Sequence, residues 1–173
     1  MNAIVAVDNQ WGIGKDNDLL FNIPLDMKFF RKTTLNKIVV MGKNTLLSFP
    51  ESKPLKNRTN IVLSSTMPKR DDCIVVNSLD ELKQKLTEYP SQDVFVIGGA
   101  MVYETMLDYC DTIYVTKVDA CGNAQVFFPN LLKLEHWATF LCVVARILFP
   151  KHPRKVRASN SCPVSLLLSA DIE

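Results

Sequence analysis

The stretch DVFVIGGAMVYETML (93–107) decides the fold. After Asp93, residues 94–97 are apolar at every position, two glycines follow at Gly98 and Gly99, and a helix candidate runs from Ala100 to Leu107. A strand apolar on both faces must be covered on both, as in parallel sheets with helices packed above and below. The glycine pair lets backbone approach a ligand with no Cβ in the way. It is equally an ordinary means of making a tight turn.

Outward from that stretch, the same kind of strand recurs in AIVAV (3–7), KIVVM (37–41), NIVLS (60–64), CIVV (73–76) and TIYVTKV (112–118). Helix candidates lie between them. Pro24, tolerated in a first helical turn, opens one that runs to about Thr34. A short one covers Asn44 to Ser48. Ser78 and Glu81 form a capping-box pattern ahead of Leu82 and Leu86. The order βαβαββαβ predicts an α/β sandwich on a mostly parallel central sheet.

Bulk composition narrows the class. A chain of 173 residues, 47% apolar, suits one domain with a substantial core. Its 20 Lys+Arg against 18 Asp+Glu imply no general attraction to nucleic acid or membrane. Five cysteines (73, 110, 121, 142, 162), without a CxxC pair, fit reduced thiols in the cytoplasm better than a disulfide frame. With His136 and His152 as the only histidines, no histidine-rich metal site is expected. The apolar start meets Asp8, and Ala138 to Phe149 is too short to span a bilayer. A soluble cytoplasmic protein is expected.

In open α/β sheets, ligands bind beyond the carboxyl ends of the strands. Three such ends carry residues suited to anions. In VVMGKNT (39–45) the strand gives way at Gly42 to Lys43, Asn44 and Thr45, where a helix start offers free N–H groups. Ser64 and Ser65 end another strand, and Gly98-Gly99 a third. Each alone is equally a solvated loop or a plain turn, and Lys43 taken alone is a surface lysine. Together they suit a phosphorylated dinucleotide. A P-loop would need glycine where Lys37 stands, and no GxGxxG occurs, so an NTPase and an ordinary Rossmann dehydrogenase are disfavoured.

The Pro24 helix carries a further signal. At 100° per residue, Asp26, Met27, Phe30 and Thr34 share one arc, whereas Lys28, Arg31 and Lys32 point away. An acid on an apolar face is either an ordinary first-turn acid or a desolvated carboxyl with a raised pKa, fit to support protonation of a heterocycle. Thr116 is a candidate hydrogen-bond partner, though a strand threonine is commonly just a strand former. Arg58 is a candidate clamp for a substrate carboxylate, or a solvent-exposed side chain. Met27, Phe30, Phe49 and Leu55 read by default as core.

The segments AVDNQWGIGKDNDLL (6–20), NIPLDMKFFRKTT (22–34), VVMGKNT (39–45), PLKNRTNIVLSS (54–65), VIGGAMVYE (96–104) and FFP (127–129) resemble, in order and spacing, dihydrofolate reductase. The match covers about residues 4–137. The resemblance implies a three-layer α/β sandwich and NADPH-dependent reduction of dihydrofolate to tetrahydrofolate by a monomer. It implies that Asp26 promotes protonation, with Thr116 holding its side chain. Ile4, Val5, Ala6, Met27, Phe30, Phe49, Leu55 and Ile97 would line the folate pocket, Ala6 and Ile97 near the nicotinamide. Arg58 would grip the glutamate tail. Ile13, Gly14, Lys15, Asp16, Asn17, Asp18 and Leu19 would form the mobile loop over the nicotinamide. Gly42, Lys43, Asn44, Thr45, Ser64, Ser65, Gly98, Gly99, Ala100, Met101, Val102 and Tyr103 would hold the phosphates and adenosine, with Lys43 and Ser65 reading the 2′-phosphate.

Departures from the family pattern are local up to Trp137. Leu20-Phe21 stands where Pro-Trp is usual, Lys43 replaces an arginine, Leu46 an aromatic, and Gln125 an acid. Residues 1–137 are therefore expected to form the catalytic domain and 138–173 an atypical tail. The family ends in two antiparallel strands; here Ala138 to Phe149 offers one and Val164 to Leu168 a poor second, separated by PKHPRKVR (150–157). A shifted reading frame or an exchanged C-terminus would produce such an end. Two other functions stay open: an inactive folate- or NADPH-binding remnant, and a pyrimidine reductase of the riboflavin pathway.

Overall fold

The computed structural model describes residues 1–131 and the backbone of residues 141–148. The elements are β1 (Asn2–Val7), β2 (Gly12–Lys15), β3 (Asp18–Leu19), α1 (Pro24–Thr34), β4 (Ile38–Gly42), α2 (Lys43–Leu47), β5 (Thr59–Leu63), β6 (Ile74–Val76), α3 (Leu79–Leu86), β7 (Val94–Gly98), α4 (Ala100–Met106), β8 (Thr112–Asp119), β9 (Val126–Phe127) and β10 (Leu141–Leu148). Seven strands form one sheet in the order β10-β8-β1-β7-β4-β5-β6, and every pairing in it is parallel. The predicted α/β class and mostly parallel sheet are what is found.

Strand alternation sorts the core onto the two faces of the sheet. Ala3, Val5, Val7, Val40, Ile61, Val96, Ile113 and Val115 belong to one buried cluster, joined by Leu82 of α3 and by Val102, Tyr103 and Met106 of α4. Val39, Met41 and Val62 belong to the other, joined by Leu46 of α2 and flanked by Phe49, Leu55 and Ile97. Helix α1 lies over β8, its Phe29 ring 6.1 Å from that of Tyr114. At the start of α3, Ser78 Oγ accepts from the Glu81 N–H at 3.1 Å, half of the expected capping box; the return bond is displaced by one residue, Glu81 accepting from the Asn77 N–H at 2.7 Å.

Three expectations change in detail. Helix α2 starts one residue earlier than predicted, at Lys43, and α4 stops at Met106, followed by a 3₁₀ turn over Leu107–Tyr109. The stretch from Ile13 to Leu19, expected as the loop over the nicotinamide, is built as a hairpin of β2 and β3, and β9 extends it to three strands. Asp16 and Asn17 turn it with φ of 51° and 60°, the left-handed conformation that primed hairpin turns require. Strand β10 falls inside the expected Ala138 to Phe149 but pairs parallel with β8, from Leu141 beside Thr112 to Leu148 beside Asp119, where the family resemblance implied an antiparallel end. The expectations for residues 150–157 and 164–168 lie outside the described residues.

Candidate active site

With all main-sheet strands running one way, the ends of β4, β5 and β7 share one edge of the sheet. β1 and β8 pair with Ala6 opposite Thr116 and Ile4 opposite Tyr114. On that face, Thr116 donates its hydroxyl to Asp26 Oδ1 of α1 at 2.5 Å. Thr116 is 5% exposed, and Asp26 is half-buried. Burial pushes the Asp26 carboxyl above its usual range, and the Thr116 hydrogen bond, which favours the charged form, offsets part of that rise. The acid–threonine pair expected from sequence is thus assembled, 90 residues apart in the chain.

The same face of the sheet carries half-buried Ala6 and buried Ile4, and α1 adds half-buried Met27 and Phe30; Phe49, Leu55 and Ile97, also half-buried, flank the core cluster of Val39, Met41 and Val62. A core reading of Met27 and Phe30 does not hold, since α1 buries only Thr34 fully. Val5 differs from the rest of the set. Its side chain packs in the cluster on the opposite face, so only its main chain is available to a ligand here. The Tyr103 hydroxyl, fully desolvated and raised in pKa by burial, donates to the Ile4 carbonyl at 2.7 Å. The Phe128 ring meets Tyr103 edge-on at 4.7 Å and stacks on Trp11 at 6.2 Å.

Arg58 is held by its own loop and by the end of α1. Its Nε donates to Thr34 Oγ1 at 2.9 Å, Nη1 to the Lys56 carbonyl at 2.7 Å and Nη2 to the Arg31 carbonyl at 3.1 Å. One N–H remains on each terminal nitrogen, the pair that a carboxylate takes bidentately. The guanidinium lies 5.9 Å from the Phe30 ring centroid. Two residues missed from sequence set this geometry. Thr34 donates to the Phe30 carbonyl at 2.8 Å while accepting from Arg58. Buried Asn60 bonds both the N–H and the carbonyl of Leu55 and the carbonyl of Arg58. Thr34 stood on the Asp26 arc in the sequence, but its bond to Arg58 is set by the fold, and Asn60 carries no local signal.

The strand ends form a second region. α2 and α4 start at Gly42 and Gly99 with no side-chain cap, whereas α3 is capped by Ser78. At Gly98, φ is +136°, and a Cβ there would sit 3.2 Å from Thr45 Oγ1; one on Gly99 would sit 3.3 Å from it. Lys43 Nζ reaches Thr66 Oγ1 at 3.3 Å, and Ser65 is exposed nearby in sequence. Ser64 is buried, its hydroxyl already accepting from Met67 N–H at 3.1 Å and Thr66 N–H at 3.3 Å. Asn44 and Met101 are exposed, Thr45 and Ala100 half-buried, and Val102 is core. Thr66 was not singled out from sequence; its place directly after Ser64-Ser65 was the available signal.

The hairpin of β2 and β3 is tied to the segment before β9. Asp16 N–H donates to Gln125 Oε1 at 3.0 Å, and Gln125 Nε2 returns a bond to Asp16 Oδ1 at 3.1 Å. Gln125, which replaces an acid, therefore still grips the turn. Leu20 fills the space over Gly122, where a Cβ would lie 2.4 Å from Leu20 Cγ. At the hairpin's base, buried Asp8 accepts from the N–H groups of Gln10 and Gly12, both at 2.8 Å, and of Gly122 at 3.0 Å. Among the described residues, no helix is long and apolar enough to cross a membrane.

A family model described as dihydrofolate reductase matches residues 1–142. A curated dihydrofolate reductase from Buchnera aphidicola subsp. Schizaphis graminum is 34% identical over 139 residues, 80% of this chain and 84% of that protein. One from Bacillus subtilis is 39% identical over 131 residues, covering 75% and 76%. Among solved structures, dihydrofolate reductase from Enterococcus faecalis, complexed with NADP(H) and RAB-propyl, superposes with a TM-score of 0.68. It is 34% identical and covers 75% of this chain and 76% of that one.

Proposed function

The chain belongs to the dihydrofolate reductase family, and from that premise we propose that it converts 7,8-dihydrofolate to 5,6,7,8-tetrahydrofolate using NADPH, with Asp26 assisting protonation. The observation that carries this reading is the half-buried Asp26, bonded to Thr116 and set among Ile4, Ala6, Met27 and Phe30. NADPH, when bound, supplies the hydride. The rest of the mechanism belongs to the chain's own residues. Oδ1 of Asp26 is occupied by the Thr116 hydroxyl, so Oδ2 is the atom free to hold a proton and to face a pterin. A carboxyl raised by burial stays protonated further toward neutral pH, which favours supply of a proton to the ring, directly or through water.

The strand-end region fits a phosphorylated dinucleotide. Gly98 and Gly99 let backbone approach where any larger residue would crowd Thr45. The uncapped starts at Gly42 and Gly99 leave N–H groups for phosphate. Lys43, Ser65 and Thr66 would read the 2′-phosphate, Ala100, Met101 and the α4 start would meet adenosine, and the Ile13–Leu19 hairpin would cover the nicotinamide. Arg58 would clamp the substrate's glutamate with its two remaining N–H groups. A cytoplasmic monomer completes the reading; the free thiols of Cys73, Cys110 and Cys121 suit a reducing compartment.

The test is loss of NADPH absorbance when both substrates meet the protein. Asp26→Asn should lower turnover by about 10²–10⁴, the usual contribution of a positioned acid. Near-normal turnover would remove Asp26 from this role. Binding of both ligands without turnover would select the inactive remnant instead.

A further inference from the structure

Strand β8 carries two consecutive residues that serve opposite faces of the sheet. Thr116 faces α1 and holds Asp26, whereas Lys117, paired with Val7 in register, turns to the other side. There its Nζ lies 4.2 Å from the centroid of the Trp11 ring. Among the described residues no ion pair takes this ammonium. Asp8, the acid whose charge acts on Lys117, spends Oδ1 on the N–H groups of Gln10 and Gly12 and Oδ2 on that of Gly122. The ammonium is left to the indole, the aromatic ring that attracts a cation best.

Trp11 is buried and sits in a conformation it would not take freely. Its φ is 67°, left-handed backbone that a bulky side chain rarely adopts. Such backbone persists only where its surroundings over-determine it. Here the Trp11 N–H donates to the Asp8 carbonyl at 3.1 Å, and its carbonyl accepts from the Phe128 N–H at 2.8 Å. Its ring stacks on Phe128, which meets Tyr103, whose hydroxyl bonds the Ile4 carbonyl. Trp11 directly precedes Gly12, the first residue of β2, so its placement sets the direction in which the hairpin leaves the sheet.

We propose that Trp11 and Lys117 are positioning residues for the cofactor: the ammonium seats the indole on Phe128, and the seated indole aims the β2–β3 hairpin, so that affinity for NADPH depends on this contact. This rests on the reading of the chain as an NADPH-dependent reductase whose hairpin covers the nicotinamide. Neither residue touches the reacting atoms. The contact needs a cation over a ring and nothing more specific, so arginine can replace lysine there, whereas a neutral side chain cannot. Met27 and Phe30 of the proposed folate wall stand on α1, across the sheet from Lys117, so affinity for dihydrofolate is spared.

The experiment is amide hydrogen exchange of the ligand-free full chain, with titration calorimetry for NADPH and for dihydrofolate. Lys117→Met keeps an apolar stem and deletes the charge. It should speed exchange at the Trp11 and Phe128 amides and weaken NADPH about fivefold, the scale of one half-buried cation–π contact. Dihydrofolate should change by less than about twofold on the same scale. Lys117→Arg should bring both readings back to those of the unaltered chain. Lys83→Met deletes the other lysine–ring contact, 4.6 Å from the Tyr109 ring, and should leave NADPH affinity unmoved. An NADPH affinity that Lys117→Met does not change, equal weakening of the two ligands, equal weakening by Lys83→Met, or no recovery in Lys117→Arg overturns the proposal. Failure of the unaltered chain to bind NADPH overturns the functional reading, and the positioning role with it.

Discussion

Asp26 is pulled two ways, by burial that favours its neutral form and by the Thr116 hydroxyl that favours its anion. Replacing Thr116 with valine removes the second influence, so the Asp26 pKa should rise further. The falling limb of the pH–kcat profile should then move to higher pH than in the unaltered enzyme; an unmoved limb would separate Thr116 from the acid. Stability carries the same sign. A carboxyl whose pKa is raised in the folded state contributes stability at acid pH that is lost as pH rises through that raised value. The melting temperature of Asp26→Asn should therefore gain on the unaltered chain as pH climbs through this window, and calorimetry across pH would detect it. Asp26 was legible in sequence because a lone acid on an apolar helical arc breaks the pattern. Thr34 and Asn60 were not, since their work is done on Arg58 and on main chain that only folding brings near. Val5 entered with the family resemblance, although alternation along β1 already placed its side chain with Ala3 and Val7.

The elements nearest the cofactor region owe their shape to a few backbone requirements. At Gly98 an alanine would have to hold φ of +136° and press its Cβ toward Thr45. Backbone strain of this kind is worth about 1–3 kcal/mol. Gly98→Ala should thus raise the KM for NADPH by about tenfold, read by steady-state kinetics. Gln125→Ala should remove both bonds to Asp16 and free the turn of the hairpin. Hydrogen exchange over residues 12–19 should accelerate, and unchanged exchange would show that the pairing of β2 with β9 suffices. Strands of the main sheet were legible because they are continuous apolar runs. The hairpin was not: β3 and β9 have two residues each, and Asp16-Asn17 lacks the glycine that usually marks such turns.

At the scale of the whole molecule, the two borders of the main sheet among the described residues are unlike. β6 is short at three residues, whereas β10 has eight, with the sequence LCVVARIL carrying one charge. Long apolar edges invite pairing with other chains. A chimera carrying a family-like C-terminus after residue 137 should melt several degrees higher, at roughly 2–4 °C per kcal/mol for this size. It should also scatter less light on heating, and equal melting of the two chains would refute the idea of a disrupted end. The prolines and basic run of residues 150–157 mark the end of the sequence as unlike the family, and they lie outside the described residues; the parallel sense of β10 was not legible, since strand direction is fixed by the path of the chain between strands. The parallel sheet has a temporal corollary as well. β1 is wedged between β7 and β8, with Asn2 beside Phe95 and Thr112, so on a ribosome it has no neighbour in the main sheet until β7 has been synthesised. Nascent molecules halted before Val94 would hold an orphaned β1, and such intermediates would depend on chaperones for as long as the wait lasts.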